Sequence, residues 1–306
     1  MKPAGSLKPA RVTALTPGVL TAIAVTMLAW ASAFVVIRGV GTSFGGGSLA
    51  LARLLVGSVV LGLILLASRR QWVRPTGREW ALIAGFGVAW FGAYNIALNI
   101  AEQTLDAGTT AMLINIAPVF LALGAGLILR EGIPPWLAIG GGVALVGVIV
   151  IGLASRPSGS DMGIGPRAGV IWCLVAALTY TVGVLMQKPA LKRLPAAQVT
   201  FLGCVIGAVA CLPFAPELVR DLASAPLHAI AAAVYLGVVP TAIAFSTWAY
   251  ALSRIPAGQL GVSTYVVPPL AILLALLVFG EVPPMMAVFG GAVCLVGVAL
   301  SRRQSR

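Results

Sequence analysis

From Val12 to Ile37 the chain carries no charged side chain, and runs of 17 or more nearly uncharged residues recur almost to its last residue. A helix needs about 20 predominantly apolar residues to cross the hydrocarbon of a bilayer, so each run is a candidate membrane span. Of the 306 residues 59% are hydrophobic and 9% charged, whereas a soluble domain carries about 25% charge. Mean hydropathy is +1.03. The expectation is an all-α integral membrane protein.

Apolar runs read against charged or Pro/Gly-rich breaks place ten transmembrane helices at about 18–38, 48–67, 80–101, 108–129, 136–154, 168–187, 197–214, 229–250, 258–279 and 286–300. Lys2, Lys8 and Arg11 precede a run containing Ala31-Ser-Ala33, which resembles a cleaved signal peptide. That run is too long for a signal core and has a counterpart later, so it is read as a retained helix.

The net charge of +12 does not indicate nucleic acid, because no soluble domain is left to present a basic face. Lys and Arg set membrane topology instead. With the N-terminus inside, 15 basic residues fall on cytoplasmic segments, against Arg38, Arg156, Arg167 and Arg220 outside and Arg53 within the second helix. The expected topology is N-in and C-in. Cys173, Cys204, Cys211 and Cys294 lie in apolar stretches without metal-ligand spacing and read as packing residues.

Displaced by 150 positions, the chain matches itself without a gap. Glu131-Gly-Ile-Pro134 meets Glu281-Val-Pro-Pro284, Pro118 meets Pro268, Gly140-Gly141 meets Gly290-Gly291, and Leu145-Val-Gly-Val148 meets Leu295-Val-Gly-Val298. Arg38 also pairs with Lys188 and Trp30 with Tyr180. The chain is duplicated. The parts are a cytoplasmic tail (1–17), a first five-helix repeat (18–154), an outside linker (155–167), a second repeat (168–300) and a cytoplasmic tail (301–306). Five is odd, so equivalent helices run in opposite directions, a 5+5 inverted repeat of the kind that alternates access to a central site.

Leu98 to Gly152 carries Ala-Gly near a helix start, mid-helix Pro118, terminal Glu131, Gly140-Gly141 and Leu-Val-Gly-Val; Tyr250 to Ser301 repeats it. Both segments resemble the EamA-type repeat of the drug/metabolite transporter superfamily. Leu28-Ala-Trp-Ala-Ser-Ala-Phe-Val with Arg38 looks like that family's opening helix, departing at Ala31 where glycine is frequent. The resemblance spans nearly the whole chain. It implies ten helices and export of small metabolites, commonly amino acids, from a bacterial inner membrane. Aromatic amino-acid exporters are the nearest in length and in the Trp30 to Arg38 phrase. Drug exporters and phosphorylated-metabolite carriers belong to the same superfamily.

Phe91, Asn95, Asn99 and Glu102 form one polar stripe down the third helix. Its amides would hydrogen-bond an amino acid's charged groups or simply join helices, and Asn95 is the better candidate. Pro118 and Pro268 each remove a helix hydrogen bond, beside Asn115 and Tyr265, so each repeat offers a hinge and a half-site. The alternative is a kink serving packing alone. Trp30, Tyr180, Trp90, Tyr94, Trp248 and Tyr250 are candidate cavity aromatics, whereas Trp72, Trp80 and Trp136 read as interfacial anchors. Arg38 and Lys188 end equivalent helices as gate or snorkelling residues. Glu131 and Glu281 are expected to brace turns.

An enzyme would need a nucleophile, base or metal cluster, and the one histidine, His228, has no such neighbours in sequence. The reading is a secondary transporter, working as facilitator or exchanger, with a small-molecule substrate, a lipid bilayer, no cofactor, no metal and no nucleic acid. Monomeric action is compatible with it. Glu102 is the one residue that would argue for proton coupling. A passive channel or a membrane assembly protein is the reading from another class.

Overall fold

The computed structural model describes residues 16–68, 72–128, 135–154, 166–255 and 257–300. Every regular element among them is helical. In chain order they are α1 (Pro17–Val40), α2 (Gly46–Ala67), α3 (Gly77–Glu102), α4 (Ala107–Ile114 continuing as Ala117–Ile128), α5 (Pro135–Ala154) and α6 (Pro166–Ala190). There follow α7 (Ala196–Ala210), α8 (Ala215–Ser224), α9 (Leu227–Leu252), α10 (Ala257–Ser263 continuing to Phe279) and α11 (Met285–Leu300). Among the described residues five helices, α1, α2, α3, α6 and α9, are long and apolar enough to cross a membrane, and shorter apolar helices lie in α4, α5, α10 and α11.

The segment expected as one helix at 197–214 breaks after Ala210. Pro213 has no N–H to continue the helix, and Leu212–Phe214 forms a 3-10 turn. Pro216 in the first turn then starts α8, bent 50° from α7. Helix α8 lies in what the sequence suggests is an outside loop. It buries Leu218 and presents Glu217, Arg220 and Asp221 on polar faces. Asp221 accepts the Gly45 N–H at 3.0 Å and the Ser48 hydroxyl, capping α2, whose own N-cap residue Gly45 has no side chain to do so.

Close helix crossings reveal how the halves relate. A Cβ on Gly147 of α5 would stand 2.5 Å from the Gly290 carbonyl oxygen of α11, and one on Gly297 would stand 2.6 Å from that of Gly140. Likewise Gly57 of α2 abuts Gly237 of α9, while Gly207 of α7 abuts Gly87 of α3. Shifting numbers by 150 exchanges the members of each pair of contacts, as an approximate two-fold relation requires. Cys204 donates to the carbonyl of Leu54, its own equivalent, at 3.6 Å.

Equivalent basic residues close equivalent helices. Arg38 donates to the Glu102 carbonyl at the end of α3 (3.3 Å), and Lys188 donates to the Leu252 and Ile255 carbonyls at the end of α9 (2.7 and 2.9 Å). Both place positive charge on the negative end of a helix dipole. Gly280 ends α10 at φ 67°, in the left-handed region open to glycine. The turn brings Glu281 to Arg38 at 3.2 Å, an ion pair between the halves rather than the expected brace of its own turn. Glu131 lies outside the described residues.

Candidate functional site

The site forms where two equivalent helices leave α geometry. Gly87–Ala93 in α3 and Gly237–Ile243 in α9 wind as π-helix. A π turn inserts an extra residue and removes the ordinary partners of some carbonyls. In α3 the Asn95 amide takes up that role, donating to Phe91 O at 2.7 Å and Trp90 O at 3.3 Å. In α9 Pro240 sits inside the π segment, and the Thr241 hydroxyl donates to Leu236 O at 2.8 Å.

The glycine crossing between α2 and α9 brings Arg53 to that hydroxyl. Arg53 Nε donates to Thr241 Oγ1 at 3.1 Å. The residue is 2% exposed, and its Nη1 is buried without a hydrogen-bond partner. The position equivalent to Arg53 in the second half is Gly203, which packs against Phe86 instead. The charge therefore breaks the two-fold relation.

Aromatic rings from both halves pack beside it. Trp30 of α1 lies 6.1 Å from Trp90 of α3 and 5.7 Å from Phe245 of α9, and Trp90 meets Tyr180 of α6 edge-on at 4.7 Å. These tilted and edge-to-face geometries suit aromatic quadrupoles. Arg53, Trp30, Trp90, Tyr94, Tyr180 and Phe245 line one cavity with Asn115, Pro118 and Thr264. The cavity volume is about 50 Å³, below the range of about 300 to 1,000 Å³ usual for small-molecule pockets, so a substrate the size of an amino acid enters only as the surrounding helices part.

The polar corner opposite comes from the break in α4. Asn115 and Ile116 leave the helix just before Pro118, whose ring cannot donate a fourth-residue bond to the Ile114 carbonyl. Asn115 Nδ2 donates to Ala111 O at 2.9 Å, leaving its buried Oδ1 without a hydrogen bond. In α10 the equivalent stretch, Thr264–Val266, tightens into a 3-10 turn, and Thr264 reaches the cavity.

Of the residues singled out from sequence, Trp30, Trp90, Tyr94, Asn115, Tyr180 and Pro118 share this cavity. Asn95 and Asn99 do not line it. Asn95 serves the π turn, and Asn99 donates to Gly46 O at 3.0 Å, joining α3 to α2. Trp248 stacks behind Trp30 at 5.0 Å. Tyr265 and Pro268 belong to α10 outside the lining, and Arg38 and Lys188 close helix ends away from it. Glu102 is buried, with both carboxylate oxygens unpartnered, also outside the cavity.

Arg53 is the charged cavity residue that the sequence reading left aside, as it did Phe245. The signal was its isolation, since a lone charge inside an apolar span is costly and marks a functional position by default. Among the described residues no group of three metal-ligating side chains occurs.

The chain matches the model of the EamA-like transporter family twice, over residues 16–153 and 167–303. It is 38% identical over 284 residues, 93% of each chain, to a probable terminal-alkyne amino-acid exporter of Streptantibioticus cattleyicolor. It is 32% identical over 275 residues to the uncharacterized transporter YdfC of Bacillus subtilis, covering 89% of this chain and 87% of that one. A crystal structure of a protein 18% identical superposes with a TM-score of 0.62, covering 93% of this chain and 96% of the other.

Proposed function

Because the chain belongs to the EamA-like transporter family, a family of membrane transporters and not enzymes, we propose that it exports amino acids with aromatic or large neutral side chains. The observation that carries this reading is the aromatic cavity between the two repeat-related halves, with Asn115 on its wall. Rings of Trp30, Trp90, Tyr180 and Phe245 offer faces and edges to an apolar side chain, while a broken helix turn offers polar groups to its backbone end. The amino-acid exporter among its relatives supports the same substrate class.

Transport proceeds by alternating access. Ten helical segments, all of those described but α8, cross a bacterial inner membrane with both termini in the cytoplasm, the orientation favoured by the 15 to 4 distribution of basic residues. The equivalent crossings exchange environments as the cavity opens to one side and then the other. Among the described residues no Asp or Glu lines the cavity, which favours a facilitator or exchanger over a proton relay. Nothing in this scheme requires a second copy of the chain.

The test is counterflow of labelled phenylalanine, tryptophan, threonine and methionine in liposomes holding the purified chain, with and without a pH gradient. Saturable counterflow without a gradient is the expected result. Absence of counterflow for every amino acid under both conditions overturns the reading.

A further inference from the structure

Arg53 is a buried guanidinium with no counter-ion among the described residues. Its Nε is satisfied by the neutral Thr241 hydroxyl, its Nη1 has no hydrogen-bond partner, and no carboxylate lines the cavity it borders. An unpaired charge held away from water is strongly unfavourable until an opposite charge reaches it, and a planar guanidinium matches a carboxylate best. The other polar lining is amide and hydroxyl, from Asn115 and Thr264, and the rest includes aromatic rings. Among the described residues no carboxylate lines the cavity to hold an ammonium.

The geometry points to Arg53 as the anchor for a substrate carboxylate, and to a site that recognises an apolar or aromatic carboxylate whether or not it carries an α-ammonium. This deepens the amino-acid reading above and rests on it for the apolar tail. An ammonium group contributes through Asn115 Oδ1 and the ring faces, which are weaker partners than a fixed charge. The carboxylate is therefore the group the protein requires. N-acylated amino acids and arylalkanoic acids belong to the substrate class, whereas amino-acid amides and amines do not.

The experiment titrates the purified full-length protein with phenylalanine, N-acetylphenylalanine, phenylacetate and phenylalaninamide, reading quenching of tryptophan fluorescence. Trp30 and Trp90 line the cavity and report occupancy. The first three ligands are expected to bind, and the amide to bind at least about tenfold more weakly. Arg53→Met is expected to weaken the three carboxylates by a similar factor with no fall in melting midpoint, because it also removes an uncompensated charge. Arg53→Lys is expected to recover part of the loss.

An amide that binds as well as phenylalanine overturns the anchor and leaves the amino-acid reading standing, and the wild-type titrations decide this even if a variant does not fold. Unchanged carboxylate binding by folded Arg53→Met overturns it equally. Binding of N-acetylphenylalanine and phenylacetate without phenylalanine supports the anchor and overturns the amino-acid reading. No binding of any of the four overturns both.

Discussion

Gly147 and Gly290 face each other backbone to backbone, each so close that a Cβ on either would stand within 3 Å of the other's carbonyl oxygen. Helices α5 and α11 can approach this closely only without side chains at the contact, which is how membrane helices pack when no hydrophobic force drives them together.

Gly147→Ala is expected to lower the melting midpoint, since the clash is with backbone and overpacking costs about 1 to 3 kcal/mol. Gly142→Ala is the control on the same helix. Nothing lies within 4 Å of its added Cβ, and alanine gains up to about 1 kcal/mol in helix propensity, so its midpoint should hold or rise. Equal loss in both variants would disprove the close crossing.

The Arg38–Glu281 pair is partly exposed, with side chains 25% and 31% accessible, so Glu281→Gln should cost less than about 1 kcal/mol. Arg38→Gln should cost about 1 kcal/mol more, because it also removes the donor to the Glu102 carbonyl. Melting midpoints of the two single variants and the double variant check this. The double variant should match Arg38→Gln, and an equal cost for both single variants would rule out the helix-end role.

Asn95 and Tyr94 are neighbours with different jobs. Asn95→Ala should destabilise by about 1 to 2 kcal/mol, leaving two π-turn carbonyls without their donor, while the transport KM stays near wild type. Tyr94→Ala removes a ring from the cavity wall and should raise KM about tenfold with a smaller change in melting. Paired counterflow and melting measurements separate them, and a reversed pattern would place Asn95 on the substrate.

Asp221→Ala should cost about 1 kcal/mol by uncapping α2. Because that cap is donated by α8, the loss should be accompanied by faster proteolysis within residues 215–224. A melting midpoint and proteolysis rate equal to wild type would show that α8 is not held there by Asp221.

Much of the fold was legible from periodic and additive signals. Apolar runs marked the helices because a bilayer demands them, and the exact shift of 150 marked the duplication because equivalent contacts need equivalent glycines, as at Gly140 and Gly290. Helix α8 was less legible, since its ten residues are too short and too charged to read as a span and its course depends on Asp221 finding the start of α2.

The site divided along the same line. Trp30, Tyr94, Asn115, Tyr180 and Pro118 could be proposed from residue type and repeat position. Asn95 and Arg53 could not be sorted that way, because an amide or a guanidinium says what it can bond to and not which partner will reach it. The π turns decided that: the turn in α3 consumes the Asn95 amide, while the turn in α9 positions Thr241 to hold Arg53 by one nitrogen beside the cavity. By itself the sequence determined a duplicated helical membrane transporter, since bilayer burial and repetition act residue by residue. Only the tertiary structure decided which polar groups were already paired and where the unpaired charge stands, because hydrogen-bond satisfaction depends on local helix geometry and on helices as far apart in sequence as Arg53 and Thr241.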